Sequence, residues 1–241
     1  MKLRGGIIYV VLLLAVGLTI TPALGSTYQA ANLIKSQTQK NDTITIEFID
    51  CTGSIPVKKE LTFSTTEWNV FKKDLRRTVK SEASMKETFA SQLFILQKHG
   101  LVSADVDIDD LMGSFNKKIN GRILKGFLGQ EPRRSPLNNT IFSALSAISF
   151  SLENDNGTTL VFGLNTFINI IGFNIISLHK GYAPEGIQTN GLFSGSVPPG
   201  NYTGFIFGFF GYWFGEKIST GVYSNLTCAG LAIITAWIDF P

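Results

Sequence analysis

The segment GFIFGFFGYWFG, residues 204–215, raises the main question about the fold class of this chain, strands or membrane helices. It carries no charge, consists of glycine, aromatic residues and one isoleucine, and spaces glycine four residues apart in Gly204/Gly208 and Gly211/Gly215. Helices that pack closely in a membrane use that spacing. In a strand the same glycines mark bulges or points where another backbone comes close. The motif fits both structures, and the flanking sequence has to decide between them.

Residues 138–241 as a whole pose the same choice. The 21 residues Thr158–Leu178 carry no charge, and a membrane-spanning helix needs roughly 20. A helix there would place three amides in hydrocarbon, where each needs a polar partner. These are the amides of Asn165, Asn169 and Asn174. The runs Phe205–Phe214 and Leu226–Ile238 are too short to span a membrane. We therefore predict antiparallel strands, with transmembrane helices as the alternative.

The distribution of charge divides the chain into parts. Residues 26–137 carry 17 Lys or Arg and 13 Asp or Glu, whereas residues 138–241 carry two and five. The change falls in a connection rich in Gly, Pro and Arg, residues 121–136, which is typical of an exposed linker. We predict a charged α+β part over 26–137 and an apolar Gly/Phe-rich β part over 138–241 that packs on it.

The charged part begins with a predicted β-hairpin. Apolar residues alternate with others through Thr43–Asp50, which indicates a half-buried strand. A second strand is predicted over Val57–Phe63, with a turn at Gly53 between the two.

Three helices are predicted after the hairpin. Ser64 and Glu67 have the spacing of a capping box, and apolar residues then recur every three or four positions as far as Val79. A second helix is predicted over Met85–Lys98, and a third follows near Asp109, ending before Gly121. Their predicted apolar faces are, in chain order, Trp68, Phe71, Leu75 and Val79; Met85, Phe89, Leu93 and Leu96; and Leu111, Met112, Phe115 and Ile119.

The N-terminus has the pattern of an export signal, residues 1–25. Lys2 and Arg4 precede the apolar run Ile7–Ile20, and Ala23-Leu24-Gly25 places small residues where a signal peptidase cuts. We predict cleavage before Ser26, with an uncleaved signal anchor as the alternative, and a secreted or cell-surface protein. The formal charge then falls from +3 to +1, because two basic residues leave, and such a balance gives no indication of a nucleic-acid partner.

In an exported protein, cysteines can form disulfides and Asn-x-Ser/Thr sequons can be glycosylated. Cys51 and Cys228 are an even pair in an exported chain, which predicts a disulfide, with two buried thiols as the alternative. Asn-x-Ser/Thr sequons are candidate glycosylation sites. They lie at Asn41, Asn138, Asn156, Asn201 and Asn225.

The residues that carry most enzyme chemistry are sparse. His99 and His179 are the only histidines, and with both cysteines paired too few ligands remain for zinc. We predict no catalytic, cofactor or metal residues. The closest approach to a cation site is an acidic cluster that lacks the glycine and the glutamate of a calcium loop, and we expect Asp107 or Asp109 to cap the third helix instead. The cluster comprises Asp105, Asp107, Asp109 and Asp110.

Five Tyr and Trp residues of the second half are expected to be core residues, with a membrane interface and a carbohydrate platform as the alternatives. They are Tyr202, Tyr212, Trp213, Tyr223 and Trp237.

The function expected from these patterns is that of a non-enzymatic cell-surface or extracellular interaction or structural protein of unknown partner. Two alternatives remain open. One is a membrane-inserted anchor or pore-like protein that associates through its apolar second half. The other is a secreted hydrolase with an irregular site built around a histidine.

Overall fold

The computed structural model describes residues 43–78, 83–119, 140–153, 161–163, 168–170, 173–184, 186–192, 195–219 and 222–239. Residues from Thr43 onward cluster into one compact unit. The helices are α1 (Thr65–Arg76), α2 (Met85–Lys98) and α3 (Ile108–Ile119). The strands are β1 (Thr43–Asp50), β2 (Val57–Ser64), β3 (Thr140–Glu153), β4 (Val161–Gly163), β5 (Ile168–Ile170), β6 (Phe173–Ala183), β7 (Ile187–Leu192), β8 (Gly195–Val197), β9 (Gly200–Ser219) and β10 (Val222–Asp239).

The described strands form a single sheet of ten strands in which every pairing is antiparallel. The two longest strands, β9 and β10, pair along most of their length and organise the rest. One end of β9 pairs with β1 and the other end with β6, while β10 pairs with β3. The predicted charged and apolar parts therefore contribute to the same sheet. The boundary predicted at residue 137 lies outside the described ranges.

Capping residues that are near in sequence account for the positions at which the three helices begin. Ser64 accepts a hydrogen bond from the Glu67 N–H, and the Glu67 carboxylate accepts one from the Ser64 N–H. Ser84 and Glu87 form the same reciprocal pair at the start of α2. At α3 the Asp107 carboxylate accepts a hydrogen bond of 2.6 Å from the Asp109 N–H. These contacts satisfy N–H groups that have no partner inside a helix.

The outer face of the sheet is covered by the three helices. Their apolar stripes meet a line of side chains from β1, β9, β10 and β3 that includes Phe48, Phe210, Phe214 and Leu231. Trp68, Phe71 and Phe214 pack ring to ring at the centre of this layer.

The inner face of the sheet encloses a second core made by the strands themselves. It includes Ile49, Phe150, Trp213, Tyr223 and Trp237, all nearly or fully inaccessible to solvent. Side chains from β6, β7 and β8 complete it. Burial of each large apolar side chain favours folding by roughly 1.5–3 kcal/mol.

Two glycines of β9 have structural roles. One leaves space for an aromatic ring, and the other lies where the alternation of inward- and outward-pointing side chains shifts by one residue. A Cβ at Gly204 would lie 2.0 Å from the Trp237 ring. Gly208 has a φ of +69°, which favours glycine, and it lies at a register shift in the pairing of β9 with β6. Tyr202 and Ile206 before it point inward, and after it the inward residues are Phe209 and Trp213. An extra residue in one strand shifts alternation in this way.

The α+β class, the hairpin and the three helices are confirmed. The described residues of the second half are strands, so the helical alternative is not supported. Within the part of the chain that the structure describes, none of the helices has the length and apolar character needed to cross a membrane. The first helix was predicted to extend as far as Val79, but α1 ends at Arg76.

Candidate functional site: the groove between α1 and α2

A groove runs between α1 and α2 on the side of the helices that faces away from the sheet. Its volume is about 550 Å³ and it is open to solvent. From α1 and the turn after it come Asp74, Arg77 and Thr78; from α2 come Ala90, Ser91, Phe94, Ile95 and Lys98. Charged groups and apolar surface are thus present in the same depression.

The ionic part of the groove joins the two helices. Lys98 Nζ lies 3.1 Å from Asp74 Oδ2, and His99 Nε2 lies 3.7 Å from the same oxygen. The hydrogen bond from Lys98 is the main reason that the pKa of Asp74 lies below its ordinary value, and His99 adds a smaller lowering. Asp74 is therefore an ionised carboxylate whose charge is balanced inside the groove.

Arg77 also lines the groove, and its positive charge is not neutralised by an acidic residue of the described ranges. It is the C-cap of α1, where its backbone N–H donates to the Leu75 carbonyl. Its exposed side chain forms no ion pair with any residue in the described ranges. Once Lys98 and Asp74 balance each other, Arg77 leaves the groove with a net positive charge.

Phe94 contributes apolar surface to the groove. It is 64% exposed, although α2 buries Phe89, Leu93 and Leu96 against the sheet. Aromatic side chains are enriched in the surfaces through which proteins bind one another. The groove therefore pairs an uncompensated guanidinium with an exposed aromatic ring.

Buried polar contacts fix α2 on the sheet. The Gln92 amide nitrogen donates a hydrogen bond of 3.1 Å to the Ile148 carbonyl of β3. The Asn190 amide of β7 donates to the Thr88 hydroxyl at 3.1 Å and to the Ala83 carbonyl. These bonds specify the position of the helix that carries Phe94, since apolar packing alone is less directional.

The histidines have structural surroundings among the described residues. His99 caps α2, packs edge-on against Phe71 at 5.3 Å between ring centres, and approaches Asp74. No hydrogen bond joins it to a serine within the described part of the chain. His179 lies within β6, where its backbone pairs with Gly204 of β9 and with Gly163 of β4.

The acidic cluster acts at the start of α3. Asp107 caps the helix, as expected, and Asp109 forms an ion pair with Lys86 of α2. In the ranges that the structure describes, no three His, Cys, Asp or Glu residues are grouped so that they could hold a metal ion.

Cys51 and Cys228 lie in the inner core and are fully buried. Cys51 donates its N–H to Gly211 of β9, and Cys228 pairs with Trp213 on the other side of that strand. Two strand spacings separate the Cα atoms by roughly 9–10 Å or more, whereas disulfides need less than about 7 Å. Both residues are thiols in the structure. A bond between them would require these strands to shift, and the disulfide stays a prediction.

The sequons differ in their surroundings. Asn41, Asn138 and Asn156 lie outside the described residues. Asn201 is exposed on β9. Asn225 is half-buried on β10, and its amide donates to Glu216.

All five aromatic residues singled out in the second half are buried in the two cores. Their core role is confirmed: each is at most 2% exposed.

Sequence reasoning missed the groove. Phe94 lies outside the periodic stripe that predicts the core face of α2, and an aromatic residue off that stripe is the signal that could have drawn attention to it. Arg77 offered no signal, because basic residues at a helix C-terminus are ordinary.

Comparison with known proteins adds no family. The chain matches no protein-family model, no curated protein sequence and no solved structure.

Proposed function

We propose that this chain is an exported, non-enzymatic interaction protein that docks a partner at the cell surface or outside the cell through the α1–α2 groove. The observation that carries the proposal is the exposed Phe94 ring in a groove that also holds Arg77. Aromatic residues and arginine are enriched among the residues that dominate binding energy.

The rigidity of the site supports binding. α2 is fixed to the sheet through Gln92 and Asn190. The apolar face of α1 packs in the same core as that of α2. Because the two walls are fixed before a partner arrives, little conformational entropy is lost when the partner binds.

The test is binding of the exported protein to intact cells of its native host. The protein is purified, labelled with a fluorophore and titrated onto the cells. We expect saturable binding that excess unlabelled protein competes away. Phe94→Ser should weaken that binding about tenfold or more, which is the loss typical of a residue that dominates an interface.

The matched control is Ile55→Ser, because Ile55 is another exposed apolar residue, in the β1–β2 turn. It should leave binding within about twofold, as expected of residues outside an interface. Absence of saturable binding would contradict the proposed function. Equal losses in both variants would contradict the assignment to the groove.

A further inference from the structure

From this proposed function we infer that the groove recognises an acidic peptide segment of the partner, one in which an apolar side chain lies next to a carboxylate. Charge and apolar surface lie side by side in the groove, and together they define the chemistry of a partner that the proposed function leaves open.

The charge of the groove selects an anionic group. Asp74 is engaged by Lys98 at 3.1 Å and approached by His99 at 3.7 Å. Arg77 makes no ion pair within the described ranges, so its guanidinium is the available charge. A guanidinium matches the two oxygens of a carboxylate, and the paired hydrogen bonds fix its direction. A basic segment would instead meet a repulsive charge.

The apolar wall selects the neighbouring side chain. Ala90, Phe94 and Ile95 line the α2 side of the groove. Covering Phe94 removes from water a ring that is now 64% exposed, and burial of apolar area is the main favourable contribution to association. A leucine or phenylalanine on the partner would supply that cover.

The shape of the site favours a short segment over a buried small molecule. The groove is open to solvent, with a volume of about 550 Å³. Small-molecule sites of comparable volume enclose most of their ligand. In an open groove the ligand stays partly in solvent, as a segment of a larger partner does.

The probe for the test is the tetrapeptide Asp-Leu-Phe-Asp, acetylated and amidated at its ends and labelled with fluorescein. Its binding to the exported protein is followed by fluorescence anisotropy at low salt. We expect saturable binding that weakens about tenfold in Arg77→Gln, since a charge-assisted hydrogen bond is lost. Phe94→Ala should weaken it by a similar factor.

Two matched peptides separate the contributions. Asn-Leu-Phe-Asn keeps the apolar pair without charge, and Asp-Gly-Gly-Asp keeps the charge without the apolar pair. Both should bind about tenfold more weakly than the parent. Lys117→Gln removes the same charge from an exposed position of α3 that does not line the groove, and it should leave affinity within about twofold. Circular dichroism confirms that each variant is folded.

The outcomes distinguish this inference from the proposed function. No saturable binding of the parent peptide, or equal affinity in Arg77→Gln and Lys117→Gln, overturns the acidic-peptide inference. If Phe94→Ser still weakens cell binding about tenfold while the peptide does not bind, the proposed function stands and only the ligand chemistry is wrong. If the protein does not bind cells, the proposed function is contradicted, whether or not the peptide binds.

Discussion

The Tyr223 hydroxyl of β10 donates a hydrogen bond of 2.7 Å to Glu47 Oε1 of β1, although β9 lies between their strands. Gly215 makes this possible. It pairs with Glu47 in the β1–β9 ladder, and a Cβ at this position would lie 2.2 Å from the Tyr223 ring. The tyrosine therefore passes over a residue without a side chain to reach a carboxylate that also lies 3.6 Å from Lys58.

Gly215→Ala should destabilise the protein because the new methyl group overlaps the Tyr223 ring. Overpacking in a core costs about 1–3 kcal/mol, and the free energy of unfolding in urea measures the change. Gly113→Ala is the matched control, since a Cβ there meets nothing within 4 Å. In a helix this change should raise stability by roughly 0.5–1 kcal/mol. A loss in Gly113→Ala as large as in Gly215→Ala would show that the Tyr223 contact is not the cause.

Tyr223→Phe should cost about 1.5–3 kcal/mol of unfolding free energy, because it removes a hydrogen bond to a buried carboxylate. Tyr202→Phe removes a bond of the same length to the neutral Pro198 carbonyl and should cost about 0.5–1.5 kcal/mol. Urea denaturation of the two variants compares them directly. Equal costs would mean that the charge of Glu47 adds nothing to the bond.

Ser64→Ala and Ser84→Ala should each cost about 1 kcal/mol, since each removes a helix cap. Ser91→Ala is the control, because Ser91 bonds to the Glu87 carbonyl inside α2 and should change stability by less than about 0.5 kcal/mol. Thermal unfolding at neutral pH measures all three. A control as destabilising as the caps would refute a role for capping.

The same capping boxes make stability depend on pH. Hydrogen bonds from Ser64 lower the pKa of Glu67, and hydrogen bonds from Ser84 lower the pKa of Glu87. A depressed folded pKa gives stability that is present above the unfolded value, about 4.3, and lost as pH falls through the folded value. In Ser64→Ala the pKa of Glu67 should rise toward its ordinary value in an NMR titration, while that of Glu87 stays depressed. A rise in both would point to a change in the whole fold.

Asn201 should accept a glycan, whereas Asn225 should not. Asn201 is exposed, but the Asn225 amide is bonded to Glu216, and Thr227 of the same sequon is buried with its hydroxyl 2.9 Å from that of Ser151. Peptide mapping after secretion from a eukaryotic cell line checks both sites. Asn201→Gln should then remove one glycan from the intact mass. Full occupancy of Asn225 in folded protein would contradict the structure.

The sequence by itself determined the local elements. Period-two alternation over Thr43–Asp50 and the Ser64/Glu67 capping box predicted β1 and the start of α1, because both depend on neighbours a few residues away. Three asparagines in the long uncharged run and two apolar runs too short to span a membrane favoured strands over helices, and residues 204–215 lie in β9. The second capping box, Ser84 and Glu87, was equally local and was overlooked.

The tertiary structure alone decided which elements meet. Strand pairing brings Glu47 and Tyr223 into contact across 176 positions of sequence, and the pattern within each strand does not specify its neighbour. The groove arises in the same way, since Arg77 and Phe94 share a surface only after α1 and α2 pack on the sheet. The periodicity of apolar residues indicates which face of a helix or strand is buried. The partner of that face depends on non-local contacts, which form only when the whole sheet assembles.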